Sequence, residues 1–137
     1  MNLRKFKILN NEEKLIEYGD KIILAMSGGP DSVFLYELLK NIKKDMNLTI
    51  YFAHINHDLR GKDSDNDEKF VIELGKTENV KAYTKKVNIK EYAKIKNISE
   101  EEAGREIRYG FFRELKDKLG ATKVALAHNE DDVVETF

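Results

Sequence analysis

Apolar positions along the chain follow two alternating kinds of pattern. Two short continuous runs, Ile22 to Met26 and Leu48 to Ile55, read as strands buried on both faces. Between them Val33 to Leu39 carries apolar spacing that suits a helix packed on the first strand. After the second run a polar stretch leads into a helix of about 15 residues ending near Glu78. Lys81 to Val87 alternates enough to read as a third, less buried strand, and lysine-rich Ile89 to Asn97 reads as helix. Ser99 and Glu102 form a capping box that opens the next helix. Its buried face is Ala103, Ile107, Phe111, Leu115 and Leu119, and Gly120 is its stop signal. Lys123 to Ala127 is a fourth strand, and His128 to Asp132 is expected to start a helix that contains Phe137. Residues 1–19 read as a short helical lead-in, with Leu9, Leu15 and Ile16 placed to dock on the sheet.

Strands that alternate with helices predict an α/β fold, an open parallel sheet with helices on both faces. No repeat, low-complexity tract or linker divides the 137 residues, so one domain is expected. Three polar segments directly follow strands: Ser27 to Ser32, His54 to Arg60, and His128 to Asp132. Element order alone puts all three at the carboxyl edge of the sheet, where open α/β folds bind ligands.

The first of these segments, Ser27-Gly28-Gly29-Pro30-Asp31-Ser32, is a strand-to-helix turn of the kind that holds phosphate. A helix N-terminus offers unpaired N–H groups and a partial positive charge. Gly28 and Gly29 lack side chains that would keep a ligand from the backbone. Pro30 suits the first helical turn, and Ser27 and Ser32 add hydroxyls. Asp31 would repel polyphosphate unless a divalent cation, most naturally Mg²⁺, lies between them. No lysine follows the glycines, so this is not the Walker loop.

His54, His57 and His128 could be zinc ligands, strand-end histidines held by hydrogen bonds, or the wall of a substrate pocket. Arg105 and Arg108 stand one turn apart, away from the Ala103–Ile107–Phe111 stripe. They are either surface arginines paired with glutamates or guanidinium forks for phosphate or developing negative charge. Asp131 and Asp132 either cap a helix start or coordinate Mg²⁺ and orient a nucleophile.

Composition narrows these choices. A hydrophobic content of 41% with 36% charged residues belongs to a folded protein with a well-solvated surface. A net charge of −1 announces no nucleic-acid partner by a global field. Without cysteine, the chain offers no disulfide, thiolate metal site, iron–sulfur ligand or cysteine nucleophile. No apolar run reaches transmembrane length and no signal-peptide core is visible, so a cytoplasmic protein without membrane contact is expected. Lysine outnumbers arginine 19 to 5, which makes arginine informative where a planar fork is needed; Arg60, Arg105 and Arg108 all lie in the segments above.

The S-G-G-P-D-S turn resembles the signature of the PP-loop ATP pyrophosphatases, which cleave ATP between the α- and β-phosphates. Four blocks in order, S-G-G-P-D-S, H-I-N-H-D-L-R-G, E-E-A-G-R-E-I-R-Y and A-H-N-E-D-D-V-V-E-T, are similar to the N-terminal catalytic domain of the tRNA(Ile)-lysidine synthetases over roughly residues 20–137. That resemblance implies an ATP- and Mg²⁺-dependent ligase. It would adenylate the wobble cytidine of an isoleucine tRNA with a CAU anticodon, and free lysine would then displace AMP to give lysidine. It further implies that Ser27 to Ser32 bind the polyphosphate, with Asp31 toward Mg²⁺. Arg105 and Arg108 would serve phosphate or substrate, and Asp132, with Asp131, would act near the attacking lysine or the metal. His54, His57, Arg60 and His128 would line the pocket. Gly104 departs from the family's usual alanine. The family domain continues past Phe137 and adds C-terminal tRNA-binding domains, so residues 1–137 are expected to be an incomplete catalytic domain. Oligomeric state is left open, a homodimer of the full-length protein included. The alternatives are another PP-loop enzyme, such as a tRNA thiolase or an amidotransferase-type synthetase, and a nucleotide-binding module without turnover.

Overall fold

A computed structural model describes residues 16–58 and 62–127, with the backbone of 133–135. Strand β1 (Lys21–Ala25) is the centre of a five-stranded sheet. Its neighbours are β2 (Thr49–Asn56) on one side and β4 (Lys123–Leu126) on the other, both parallel to it. Strand β3 (Ala82–Lys86) adds in parallel outside β2, and β5 (Val133–Glu135) pairs antiparallel with β4. The strand order is therefore β3-β2-β1-β4-β5. Ile22, Ile23 and Leu24 are fully buried, as expected of a central strand covered on both faces.

Alternation along the strands sorts the core into two layers. Ile22, Leu24, Met26, Ile50 and Phe52 face helices α1 (Pro30–Lys43) and α2 (Lys62–Glu78). Leu35, Leu38, Leu39 and Ile42 come from α1, and Val71 from α2. The Tyr36 and Phe52 rings meet edge to face at 4.9 Å between centroids. On the opposite face Ile23, Ala53, Val124 and Leu126 pack against Phe111, Phe112 and Leu115 of α4 (Glu100–Leu119). A short helix α3 (Ile89–Lys96) closes on α4 through Ile89, Ala93, Ala103 and Ile107.

The capping chemistry read in the sequence is in place. Ser99 Oγ accepts the Glu102 N–H at 3.0 Å, and Gly120 ends α4 in the left-handed region at φ +68°. At the amino edge of the sheet the buried Asp20 carboxylate accepts from Lys123 Nζ at 3.2 Å, Thr122 Oγ1 at 2.9 Å and the Glu17 N–H at 2.7 Å. This fully partnered charge ties the approach to β1 onto β4.

Two expectations are corrected. Residues 16–20 form a turn rather than the end of a helical lead-in. Gly19 takes φ +82° and the Asp20 carboxylate takes the Glu17 amide, both of which break a helix. Ile16 does dock in the core, while the rest of the lead-in, Leu9 and Leu15 included, lies outside the described residues. Val133–Glu135 is a strand and not helix: it satisfies the backbone groups that β4 would otherwise leave open along its outer edge.

Two helical glycines test the packing with opposite signs. A Cβ on Gly75 would stand 2.7 Å from the Val80 carbonyl oxygen, whereas one on Gly110 meets nothing within 4 Å. Gly110→Ala should stabilise the fold by about 0.5–1 kcal/mol in urea unfolding. Gly75→Ala should destabilise it by about 1–3 kcal/mol, because backbone must move. Equal effects at the two positions would contradict the close α2–β3 approach.

Candidate functional site

The chain leaves β1 at Met26 and turns into α1 through Ser27, Gly28 and Gly29. Gly28 takes φ +88°, and a Cβ there would lie 2.9 Å from the Cβ of Asp67 on α2. Both the backbone angle and this approach demand glycine. Gly29 is the N-cap of α1 and Pro30 its first residue, and no side chain caps the helix. Ser32, buried below the turn, accepts the Ser27 N–H at 3.2 Å and donates its own proton to the Gly29 carbonyl at 3.0 Å. Ser27 Oγ in turn accepts the Gly29 N–H at 3.2 Å. The hydroxyls thus hold the shape of the turn, and the amides of the first helical turn keep no helical acceptor. Asp31 is exposed in that first turn.

A cavity of about 290 Å³ opens beside this turn. Ser27 and Ser32 form one end, and Ser64 and Asp67 of α2 stand on its rim. Ala25, Ala53, Ile55 and Leu126 supply a largely apolar floor, and Phe112 and Arg108 of α4 close it. The small side chains at Ala25 and Ala53 are register partners on adjacent strands, which leaves the floor open.

Three buried nitrogens in this wall have no hydrogen-bond partner among the described residues: His54 Nε2, His57 Nδ1 and Arg108 Nε. Buried polar atoms are normally satisfied, and each unsatisfied one costs about 1–3 kcal/mol. His54 is 4% exposed, and its Nδ1 lies 2.6 Å from the Met26 carbonyl oxygen. A carbonyl only accepts, so Nδ1 donates there. Burial, then the neighbouring His54 and the Arg108 guanidinium, hold the His57 pKa below the usual histidine value. Arg108 also lies 5.4 Å from the centre of the Tyr109 ring.

Asn56 organises the rim. Buried at the end of β2, it donates to Asp65 at 2.8 Å and Glu68 at 3.2 Å and accepts the Asp58 N–H at 2.8 Å. Asp65 is bonded in turn by Lys86 of β3 at 3.3 Å. Asn56 first, then Lys86, hold the Asp65 carboxyl below its ordinary pKa.

Of the residues singled out in the sequence, the structure brings Ser27, Ser32, His54, His57 and Arg108 to one cavity, with Gly28, Gly29, Pro30 and Asp31 in the adjoining turn. Arg105 is elsewhere: it is exposed on α4, 5.7 Å from the Tyr109 ring centre, and does not line the cavity. Arg60, His128, Asp131 and Asp132 lie outside the described residues. Among the described residues no group of three His, Asp or Glu side chains is arranged to hold a metal ion, and no helix is long and apolar enough to cross a membrane. Sequence reasoning missed Asn56, Ser64, Asp67 and Phe112. Ser64, Asp67, Val71 and Gly75 keep a helical spacing that marks one face of α2, a signal hidden by their polarity.

The family described as PP-loop domain matches residues 2–137. Among relatives, the tRNA(Ile)-lysidine synthase of Clostridium tetani is 50% identical over 95% of this chain and 28% of its own length. That of Clostridioides difficile is 43% identical over 92% of this chain and 27% of its own length. That of Geobacter sulfurreducens is 39% identical over 98% of this chain and 28% of its own length. The chain thus spans little more than a quarter of the curated relatives it matches. Among solved structures, a U34-tRNA thiolase from Methanococcus maripaludis aligns with a TM-score of 0.69 at 18% identity, over 93% of this chain and 43% of that one.

The depressed His57 pKa has a consequence for stability. The unfolded chain binds a proton near the ordinary histidine value of 6.5, and the folded chain binds it only at lower pH. The resulting stability is present above pH 6.5 and is lost as pH falls from there toward the folded pKa. Urea midpoints at pH 7.5 and 5.5 should therefore differ more for the unsubstituted protein than for His57→Gln. Parallel pH slopes would mean that His57 titrates normally.

Proposed function

The chain belongs to the PP-loop domain family, and on that premise we propose that it is the N-terminal ATP-binding part of a tRNA(Ile)-lysidine synthase. The observation that carries this reading is the cavity itself: a helix start without a side-chain cap at one end and, in the wall, three buried nitrogens unpartnered among the described residues. Identities of 39–50% to the lysidine synthases of three organisms support it. The whole protein's partners would be ATP, free lysine and an isoleucine tRNA with a CAU anticodon, and its place the cytoplasm.

The residues divide the work as follows. The turn amides and the α1 N-terminus receive the polyphosphate, where unpaired N–H groups favour anions. The Arg108 guanidinium faces the negative charge that develops as the cytidine 2-carbonyl oxygen attacks the α-phosphorus and pyrophosphate leaves. Lysine's amine then attacks carbon 2, AMP departs, and the amine proton passes to a base; Asp132, with Asp131 beside it, is proposed for that step. His57, neutral at pH 7, lines the pocket with His54, and Arg60 and His128, which follow β2 and β4 in the sequence, are proposed to serve the same substrate. Arg105, exposed on α4, is placed to meet substrate from outside. Asp31 and Asp67 flank the glycine turn with hard carboxylate oxygens, a donor set that suits Mg²⁺. When bound, Mg²⁺ would offset the charge of the departing pyrophosphate.

A tRNA thiolase is the rival reading, and the structural neighbour is one. At 18% identity that likeness speaks for the fold alone. The neighbour is described with a 4Fe–4S cluster, and this chain contributes no cysteine to one.

The full-length protein should incorporate labelled lysine into CAU-anticodon isoleucine tRNA with release of AMP and pyrophosphate. AMP release without lysine incorporation would point to a different acceptor. Asp31→Ala should abolish AMP formation with the fold intact by circular dichroism. Arg108→Lys should lower kcat by about tenfold or more, since lysine cannot present the planar fork. Arg105→Lys should change it by about threefold or less, because a surface contact tolerates the exchange. Equal losses at the two arginines would place Arg105 in the reaction.

A further inference from the structure

His54 has a fixed tautomer and a free nitrogen, and the two together suggest a role in choosing the ligand. The ring is 4% exposed and lines the cavity. Nδ1 donates to the Met26 carbonyl, the last backbone acceptor before the glycine turn. In the neutral ring Nε2 then carries a lone pair, and it has no partner among the described residues. Arg108 Nε, a donor, is also buried and unpartnered in the same wall. The cavity therefore offers one acceptor and one donor above an apolar floor of Ala25, Ala53 and Ile55.

A planar heterocycle with an exocyclic amine beside a ring nitrogen meets both demands on one edge. A ribose hydroxyl would leave the apolar floor uncovered, and an ammonium group would face the Arg108 charge. At about 290 Å³ the space is at the small end for ligand pockets and suits a base more than a whole nucleotide. We infer that His54 Nε2 is a specificity-determining acceptor for the exocyclic amine of a nucleobase, and that Nδ1 links that recognition to the entry of the phosphate-binding turn. Two bases carry this chemistry in the proposed reaction: the adenine of ATP and the target cytosine. The inference rests on that proposed function for the cavity.

The two ring nitrogens can be separated by substitution. In His54→Asn an amide N–H stands near the Nδ1 position and keeps the bond to Met26, while nothing replaces Nε2. In His54→Gln the amide reaches the Nε2 region and the Met26 bond is lost. Binding is measured by calorimetry on the full-length protein, in two arms. The first compares ATP with purine riboside triphosphate, which lacks the 6-amino group. The second compares an anticodon stem-loop carrying cytidine with one carrying the 2-pyrimidinone nucleoside, which lacks the 4-amino group.

The unsubstituted protein should prefer the amino-bearing ligand by about tenfold in one arm, as expected for a buried acceptor left unpaired by the analogue. His54→Asn should bring that preference to within about twofold while binding of the analogue stays unchanged, a selective loss that a merely structural role would not give. His54→Gln should weaken both members of the pair alike, through the turn. Which arm responds identifies the base. Absence of a preference in both arms, or a preference that survives in His54→Asn, overturns the inference. Lysine incorporation by the same preparation separates it from the broader reading. Incorporation with an unchanged His54→Asn preference removes only the His54 role, and a lost preference without incorporation removes only the lysidine assignment.

Discussion

Helix α1 begins with no side chain to cap it, and the site depends on that. A helix of 14 residues ordinarily has its first amides satisfied by a serine, threonine or aspartate. Here the N-cap is Gly29, and Ser32, one turn in, bonds back to the Gly29 carbonyl and the Ser27 amide. Every side chain in the turn with capping capacity is directed into the turn or out to solvent. The open amides are affordable only because β1 holds the turn rigidly in register with β2, through pairings that continue to the 2.8 Å bond from Met26 N–H to the Ala53 carbonyl. His54 adds a second tie, from its ring to the Met26 carbonyl. Strand burial, glycine conformation and histidine tautomer all act on the same three residues.

The strand order explains why the cavity lies where it does. From β1 the chain moves outward to β2 and β3 and then returns across the sheet to β4 on the far side of β1. The crossovers before and after this reversal therefore cover opposite faces, with α1 and α2 on one and α4 on the other. At the carboxyl end of β1 these helices diverge, and a crevice is left where the direction of winding reverses. At the centre of that crevice the sheet presents the small side chains of Ala25 and Ala53, which leaves the space open from below. Phe112 and Arg108, one helical turn apart on α4, close it from the side.

Most of this frame was legible from periodicity. The strands between Lys21 and Leu126 were expected within one or two residues of where they lie, because the apolar runs are unambiguous, whereas α1, read from Val33 to Leu39, extends over Pro30–Lys43 because its polar end turns carry no apolar signal. Element order also anticipated that Ser27 to Ser32 and His54 to His57 meet at one cavity, while the third segment, His128 to Asp132, lies outside the described residues. The failures have a common cause, which is that local pattern cannot see tertiary partners. Val133–Glu135 carries acids before it that favour a helix start, yet its pairing partner is the open edge of β4. Arg105 and Arg108 looked equivalent on a helical wheel. Only the packing of α4 against β4 turns one toward the cavity beside Phe112 and leaves the other in solvent. Asn56 was inside a motif already noticed, but its three hydrogen bonds reach Asp58, Asp65 and Glu68, and no spacing rule announces them.

Asp67 shows how far the glycine turn depends on residues beyond its own sequence. Its Cβ approaches Gly28 so closely that a side chain there could not exist, so α2 is as much a wall of the turn as α1 is. Asn56 fixes the start of α2 through Asp65 and Glu68, which flank Asp67 in the first turns of that helix. A shift of β2 against β1 would thus move His54 at the base of the cavity and Asp67 at its rim together. The two ends of the cavity therefore share a single rigid strand, and that coupling ties the six-residue glycine turn to the wall that carries His54.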